Sequence, residues 1–416
     1  MADDCDVLVI GGGVVGAACA YYLSRAGAAV TLVDRDRPGY GCSYGNAGLI
    51  VPSHAMPLPT PGIVWQAGKW LLQRDSPLYI RPRPSLELIR WLWAFLRHAN
   101  RRHLQRSTPA LVALALHSLE QLAAFAQEHG AEPIGFRHDG LIYACSTAAG
   151  LARASEELEI VEPLGVPGEV IDATKVRAME PCLAGPVIGG VHYPREAHAE
   201  PLRTAQAFAR QAEANGVDFR PYTEVFQIDH DGGRVRGVQT TRGWLRADQY
   251  VLATGSWSPA LAGPLGLRVP IQAGKGYALI LPPLDPMPRR PVVVFEAKIA
   301  VTPRADSVRF AGTMELAGMD DSITASRVEA IVEAARRFFR LPPDVPRIET
   351  WRGLRPCTPD GLPMIGRPRG FSNLLLAAGH AMLGLTLSAG TGRMIADMCA
   401  GRDPAVDPSL FSPARF

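Results

Sequence analysis

Residues 6 to 16, Asp6-Val-Leu-Val-Ile-Gly-Gly-Gly-Val-Val-Gly16, set a short run of apolar, mostly β-branched side chains directly against a cluster of glycines. A run of this kind reads as a buried strand. Gly11, Gly13 and Gly16 stand in G-x-G-x-x-G register. The first permits a tight turn, the second lets backbone approach a pyrophosphate, and the third lets a helix lie close on the strand. The helical pattern that follows, through Ala20 and Leu23 to Gly27, turns its N-terminus toward those phosphates. A second strand, Ala29-Val-Thr-Leu-Val33, ends at Asp34, eighteen residues after Gly16, where an acid that binds a ribose hydroxyl belongs. Strand, turn, helix and acid together predict a dinucleotide-binding α/β unit. The acid favours an unphosphorylated ribose and leaves nicotinamide and flavin dinucleotides both open.

The 416-residue chain is 47% hydrophobic, enough for a large core and for two or three domains. Its 43 basic and 40 acidic residues give a formal charge of +3, too even for a nucleic-acid footprint. The seven cysteines, Cys5, Cys19, Cys42, Cys145, Cys182, Cys357 and Cys399, contain no C-x-x-C pair. Such a dispersed, odd set reads as free thiols in a reducing, cytoplasmic compartment, with no metal site expected. The acidic start Met-Ala-Asp-Asp-Cys-Asp6 lacks the basic region of a secretory signal. No apolar run of roughly eighteen uncharged residues occurs, so no transmembrane segment is expected.

Past Asp34, where a nicotinamide domain would begin another βα unit, the chain has the loop Gly41-Cys-Ser-Tyr-Gly-Asn-Ala-Gly48, followed by Leu49. Glycine turn, acid and this Gly-x-Ser-x-x-Asn-x-Gly loop together resemble the FAD-binding fingerprint of the D-amino acid oxidase superfamily. In that family the loop closes over the flavin side of the cofactor. The resemblance therefore implies FAD contacts from Gly41, Cys42, Ser43, Asn46, Ala47, Gly48 and Leu49.

Residues 50 to 84 are proline-rich and irregular and contain Ser53-His54, Trp65 and Trp70. Leu86 to Arg97 is a helical pattern dense in aromatics with a basic end at Arg101-Arg102-His103. Two readings of it stay open, a core helix with a solvated tail or a helix lying on an anionic membrane surface. A second long helix is expected from Ala110 to His129, ending at Gly130. Further on come a strand at 140–145, an acidic helix near 156–162, and an alanine-rich helix from Leu202 to Asn215. A three-strand meander follows, turned by Asp231-Gly-Gly233 and Arg242-Gly243, and then a buried strand running into Ala253-Thr-Gly255. Alternating β-type segments fill Val269 to Thr313, and a helix runs from Thr324 to Arg340. The expected fold is α/β: a Rossmann-type FAD-binding domain (1–86, 145–266 and 342–416) interwoven with an α+β substrate domain (87–144 and 267–341) on an antiparallel or mixed sheet. A ligand cleft is expected at their boundary.

The stretch Trp351-Arg-Gly-Leu-Arg-Pro-Cys-Thr-Pro-Asp360 carries two arginines three residues apart. Beyond it, a strand over 373–378 ends in Gly379-His380 and opens a helix after Gly384. That geometry places free backbone amides near one point, where they favour negative charge on a reduced flavin at N1 and the C2 oxygen. With 46–53, Pro61-Gly62, Lys69-Trp-Leu-Leu72, Asp75-Ser-Pro-Leu78 and Ala273-Gly-Lys-Gly-Tyr277, these residues extend the resemblance over nearly the whole chain. They resemble the D-amino acid dehydrogenase branch of the superfamily.

The resemblance implies further FAD contacts at Val14, Val15, Arg35, Val225, Ala253, Gly255, Gly353, Gly379, His380, Met382, Leu383, Gly384, Leu385 and Thr386. It implies a non-covalent cofactor, since Cys357 does not match the linking cysteine of some sarcosine oxidases. It also implies that Arg355 meets the substrate carboxylate, to which a guanidinium offers a planar two-point fork, and that Tyr277 assists. Arg352 is expected at the surface or behind the site. Met382 stands where glycine-oxidase-like relatives supply a further arginine, so the carboxylate clamp is incomplete. His380 is expected beside the ring as a hydrogen-bond partner, and His54 as a pocket wall that discriminates a ring substrate or its hydroxyl. The expected reaction is dehydrogenation of a D-amino acid or cyclic imino acid of the D-proline or hydroxyproline type, by hydride transfer from Cα to flavin N5. A quinone, an electron-transfer protein or a partner subunit is expected to take the electrons. Two alternatives stay open, the flavin-bearing subunit of a heteromeric hydroxyproline-type dehydrogenase and an oxygen-using amine or glycine-type oxidase. A cytoplasmic location is expected, with peripheral contact on the inner face of the cell membrane open.

Overall fold

The computed structural model describes residues 4–63, 78–81 and 83–416. The quoted Trp65, Lys69-Trp70-Leu-Leu72 and Asp75-Ser-Pro77 lie outside the described residues. Two large sheets organise the remainder, each built around one of the sequence patterns above.

In the first sheet, Asp4–Ile10 lies between Val30–Val33 and Gly243–Leu252, parallel to both. Leu374–Ala378 adds in parallel beyond Gly243–Leu252. Leu8, Val9, Val251, Leu252 and Leu374 to Leu376 have no more than a trace of exposure. This is the behaviour of parallel strands covered on both faces, and it explains their continuous apolar runs. The strands Val225–Asp231, Arg234–Thr240 and Gly243–Leu252 form the expected meander. Helix Val14–Arg25 packs between the sheet and helix Ser388–Cys399. The two helices cross so closely that a Cβ at Gly392 would lie 2.7 Å from the Ala18 carbonyl carbon.

The second sheet runs Glu349–Cys357, Gln272–Leu281, Val308–Leu316, Ile299–Pro303, Val292–Val294, Leu141–Cys145, Gly189–Tyr193, Glu169–Asp172. Its pairs are antiparallel except Val292–Val294 with Leu141–Cys145 and the added strand Leu78–Ile80 on Val308–Leu316. Helix Ala325–Phe338 covers one face, where Val328, Ile331 and Val332 pack with Leu279, Val301 and Phe310. The opposite face looks toward the first sheet.

The α/β class and the mixed second sheet agree with the sequence reading, but the segment boundaries do not. Glu349–Cys357 is an edge strand of the second sheet, and Glu169–Asp172 and Gly189–Tyr193 also belong to it, although all three fell in segments expected in the first domain. Helix Arg101–His129, expected in the second domain, buries Leu111, Leu114 and Leu122 in the core it shares with Val14–Arg25 and Ser388–Cys399. Strand partners are chosen by hydrogen bonding between segments far apart in the chain, which local patterning does not record. That helix is long and apolar enough to cross a membrane by composition, yet half of its most apolar stretch is buried in the protein.

Candidate active site

Between the two sheets lies a cavity of about 1040 Å³. Its first wall is the glycine turn. Gly11, Gly13, Val14 and Val15 line it, at the N-terminus of helix Val14–Arg25, where backbone amides lack intrahelical partners. Gly16 does not reach the cavity and serves by its missing side chain. A Cβ there would sit 1.8 Å from the Gly11 carbonyl oxygen, so only glycine lets helix and strand meet.

Asp34 and Arg35 line the next part. Asp34 accepts from the Gly12 amide at 2.5 Å and the Asp36 amide at 2.8 Å, while burial raises its carboxyl above the usual range. Both carboxylate oxygens retain lone pairs for hydroxyl donors. The Arg35 guanidinium stacks on Trp257 at 4.1 Å, and Val225, Ala253 and Gly255 continue this wall.

The glycine-rich loop folds over the turn. Ser43 Oγ accepts from the Val14 amide at 3.0 Å, and Cys42 Sγ donates to the Leu354 carbonyl at 2.8 Å. Thr302 Oγ1 donates to the Ala47 carbonyl at 2.7 Å, and Thr386 Oγ1 donates to that of Leu49 at 3.1 Å. Gly41, Cys42, Ser43, Asn46, Ala47 and Leu49 all line the cavity. Gly48 and Gly379 do not; added Cβ atoms would lie 2.6 Å from the Ala199 oxygen and 2.7 Å from the Thr358 methyl. The Trp351 indole, missed by sequence reasoning as a site feature, lies where side chains at Gly45 and Gly353 would be. Gly353, His380, Met382, Leu383, Gly384, Leu385 and Thr386 complete the rim. The amides of Gly384, Leu385 and Thr386 enter none of the backbone hydrogen bonds among the described residues. At Gly41, Gly255 and Gly384 a Cβ would meet open space, so the turn, the loop and the rim face one continuous void. A glycine cradle, an acid and free amides fit a dinucleotide with a redox ring.

The two arginines separate by strand parity. An odd spacing in a strand sends side chains to opposite faces. Arg352 donates to the Asp321 carbonyl at 2.7 Å and pairs with its carboxylate at 3.2 Å, away from the cavity. Arg355 turns inward over Gly276, where a Cβ would lie 2.0 Å from its Nη1. Its one hydrogen bond is to the Thr313 carbonyl at 2.7 Å, and no carboxylate among the described residues pairs with it. Burial lowers its pKa below the ordinary arginine value. The Thr313 carbonyl is aimed by a register shift between Lys275 and Tyr277 that leaves Thr313 at φ 60° with its hydroxyl unpartnered. A bulge of this kind re-aims groups beside a site, and no local sequence signal marks it.

One expected role is corrected by these contacts. Tyr277 borders the cavity, but its side chain belongs to the apolar layer under helix Ala325–Phe338. Its hydroxyl donates to Glu315 at 2.9 Å and accepts from the Thr324 amide at 3.1 Å, so it is occupied on the far face rather than shared with a ligand carboxylate. His380 is buried with Nε2 3.0 Å from Thr391 Oγ1, and burial drops its pKa to about 3. The ring is therefore neutral, tied through Nε2 to the final helix, and it lines the cavity. His54 lines the cavity as expected, with Nδ1 2.7 Å from the Tyr143 hydroxyl. Burial and then the Lys298 cation lower its pKa to about 4. Cys357, with its thiol pushed up to about 12 by burial, is not among the residues lining the cavity.

A dinucleotide turn opening onto a sheet-floored cavity, lined by an arginine that no carboxylate among the described residues pairs, defines a cofactor-dependent oxidoreductase. The chain belongs to the FAD-dependent oxidoreductase family, whose model matches residues 6–398. It is 38% identical over 418 residues to a protein of Methylobacterium nodulans named D-amino acid dehydrogenase, covering 99% of each chain. A protein of the same name from Bradyrhizobium diazoefficiens is 36% identical, covering 99% of this chain and 98% of its own. Among solved structures, glycine oxidase from Geobacillus kaustophilus superposes with a TM-score of 0.80 at 25% identity, covering 99% of each chain. L-proline dehydrogenase from P. horikoshii shares the fold with a TM-score of 0.79 at 20% identity, covering 100% of this chain and 98% of its own. The enzyme uses FAD.

Proposed function

We propose that this chain dehydrogenates a D-amino acid or a cyclic imino acid of the D-proline or hydroxyproline type and passes the electrons to an acceptor other than oxygen. The observation that carries this reading is Arg355, a cation inside the cavity that, among the described residues, has one carbonyl partner and no carboxylate. A half-buried charge without a counter-charge is costly, so the site favours an anionic ligand. The relatives named D-amino acid dehydrogenase, aligned over nearly the whole chain, favour an amino acid carboxylate as that anion.

FAD, when bound, would supply the two-electron sink for oxidation of the substrate. Gly11 to Val15, Asp34 and the 41–49 loop would hold it, and the free amides at 384–386 would face developing negative charge. Arg355 fixes the carboxylate by a two-point contact, with its own direction set by the Thr313 carbonyl. That contact holds the substrate on the floor. His54 stays neutral above about pH 4, so it acts as a hydrogen-bonding wall. Cys357 lies outside the cavity lining, which supports a dissociable cofactor.

For the acceptor, helix Leu86–His98 offers a surface. Leu86, Ile89 and Trp93 are 71%, 59% and 60% exposed on one face, flanked by exposed Arg90, Arg97, Arg101 and Arg102. Trp91 faces inward, donating to the Cys357 carbonyl at 3.0 Å. An amphipathic helix with basic flanks suits the cytoplasmic face of an anionic membrane, where a quinone is at hand. The test is anaerobic flavin bleaching by D- and L-amino acids and D-proline, followed by reoxidation with oxygen and with a soluble quinone. Bleaching by D-substrates and faster reoxidation by quinone are expected; no bleaching by any of them ends the reading.

A further inference from the structure

The sheet under the cavity has a floor of small side chains that ends in a polar wall far from Arg355. Gly276, Ala311, Gly312 and Ala300 line the cavity from three adjacent strands, and none carries more than a methyl group. Ala311 pairs with Ala300, Ala300 with Val293, and Val293 with Tyr143, so one row crosses the sheet to the tyrosine from Ala311, two residues before the Thr313 whose carbonyl holds the arginine. Three strand steps separate the strand of Thr313 from that of Tyr143, roughly 14 Å. Side chains projecting from both ends shorten this to the length of a small substrate.

At the far end stand four groups that sequence reasoning took singly or not at all. His54 and Tyr143 share a hydrogen bond of 2.7 Å. Glu157, from helix Ala148–Val161, and Lys298, at φ 54° ahead of Ile299–Pro303, also line the cavity. Neither makes a hydrogen bond or close ion pair with another described residue; the Lys298 ammonium rests over the Phe295 ring at 3.9 Å. Burial raises the Glu157 carboxyl and lowers the Lys298 ammonium, while each charge partly offsets the other's shift. A charged substrate side chain would be attracted by one of these groups and repelled by the other. A neutral group that both donates and accepts hydrogen bonds gains from both.

We propose that Glu157, Lys298 and the His54–Tyr143 pair form a side-chain subsite that selects D-amino or imino acids bearing a neutral hydroxyl or carboxamide. The proposal rests on the D-amino acid reading above and names the substrate class within it. Apolar side chains of the same length fit the floor but leave two polar groups unpaired at its end, and such a mismatch is what gives a site strong discrimination.

The test uses the FAD-loaded enzyme, anaerobically, with a dye acceptor. It compares D-glutamine with D-methionine and hydroxy-D-proline with D-proline. At least about a tenfold preference in kcat/KM for the polar member of each pair is expected. Lys298→Met and Glu157→Gln should each bring that preference close to one, mainly through KM for the polar member. If D-methionine and D-glutamine react equally well with the wild-type enzyme, the subsite is refuted without recourse to any variant. Equal losses on both members of each pair in the variants would also refute it. Failure of every D-substrate to bleach the flavin would instead remove the underlying reading.

Discussion

Replacing Arg355 by methionine separates ligand binding from scaffolding. The guanidinium has one acceptor, the Thr313 carbonyl at 2.7 Å, and its burial is uncompensated among the described residues. A hydrogen bond to a charged group contributes about 1.5–3 kcal/mol, so losing a two-point contact costs about 3–6 kcal/mol. At about 1.4 kcal/mol per decade, kcat/KM should fall by roughly two to four powers of ten. Arg355→Lys retains the charge but loses the fork, and a fall of about one to two powers of ten is expected. Stability should move the other way. A half-buried cation with no counter-charge among the described residues adds little to the stability of the ligand-free protein, so the methionine variant should melt at or above the wild-type temperature without substrate. Rapid-mixing flavin reduction by D-alanine measures the first effect and scanning calorimetry the second. A kcat/KM within about threefold of wild type would refute the carboxylate assignment. A joint loss of activity and melting temperature would make the arginine a scaffold residue.

Gly16→Ala places a methyl 1.8 Å from the Gly11 oxygen, so helix and strand must part; flavin absorbance per protein should drop at least about tenfold after gel filtration. Burial lifts the Glu196 carboxyl from 4.5 to about 8. The native state therefore keeps a proton that the unfolded chain has released, and stability is lost as pH rises from 4.5 through about 8. Glu196→Gln should flatten that part of a stability–pH curve measured by urea unfolding, and an unchanged slope would count against it. Ile89→Ser with Trp93→Ser removes two exposed apolar side chains and leaves Trp91 in place. Dye-coupled activity should persist while binding to anionic vesicles falls; unchanged sedimentation with vesicles would exclude that face as the contact.

The first sheet and the cofactor cradle were legible because their determinants are local. Turn chemistry, a strand before it, a helix after it and an acid at a fixed distance lie within Asp6 to Asp34. Helix Arg101–His129 begins nine residues before the expected start, with Pro109 inside it and Asn100 as its cap, accepting from the His103 amide at 2.9 Å. What stayed hidden depends on pairing across long stretches of chain. The face taken by Tyr277 follows from strand parity against Glu315, and the aim of Arg355 from a bulge at Thr313. Glu157 and Lys298 meet only once helix Ala148–Val161 is laid beside the second sheet. A clue existed for Lys298, one of four lysines in a chain whose other basic residues are arginine.

Trp351 has a consequence for how the enzyme keeps its cofactor. Its indole fills the space over Gly45 and Gly353 and stacks on Tyr44 at 6.2 Å, riveting the flap over the nucleotide to the same edge strand that carries Arg355. The flap cannot lift without prying that edge loose. Lifting of the flap would break this contact with the strand of the anion anchor, so a population that has shed its cofactor should also have a weakened grip on substrate analogues.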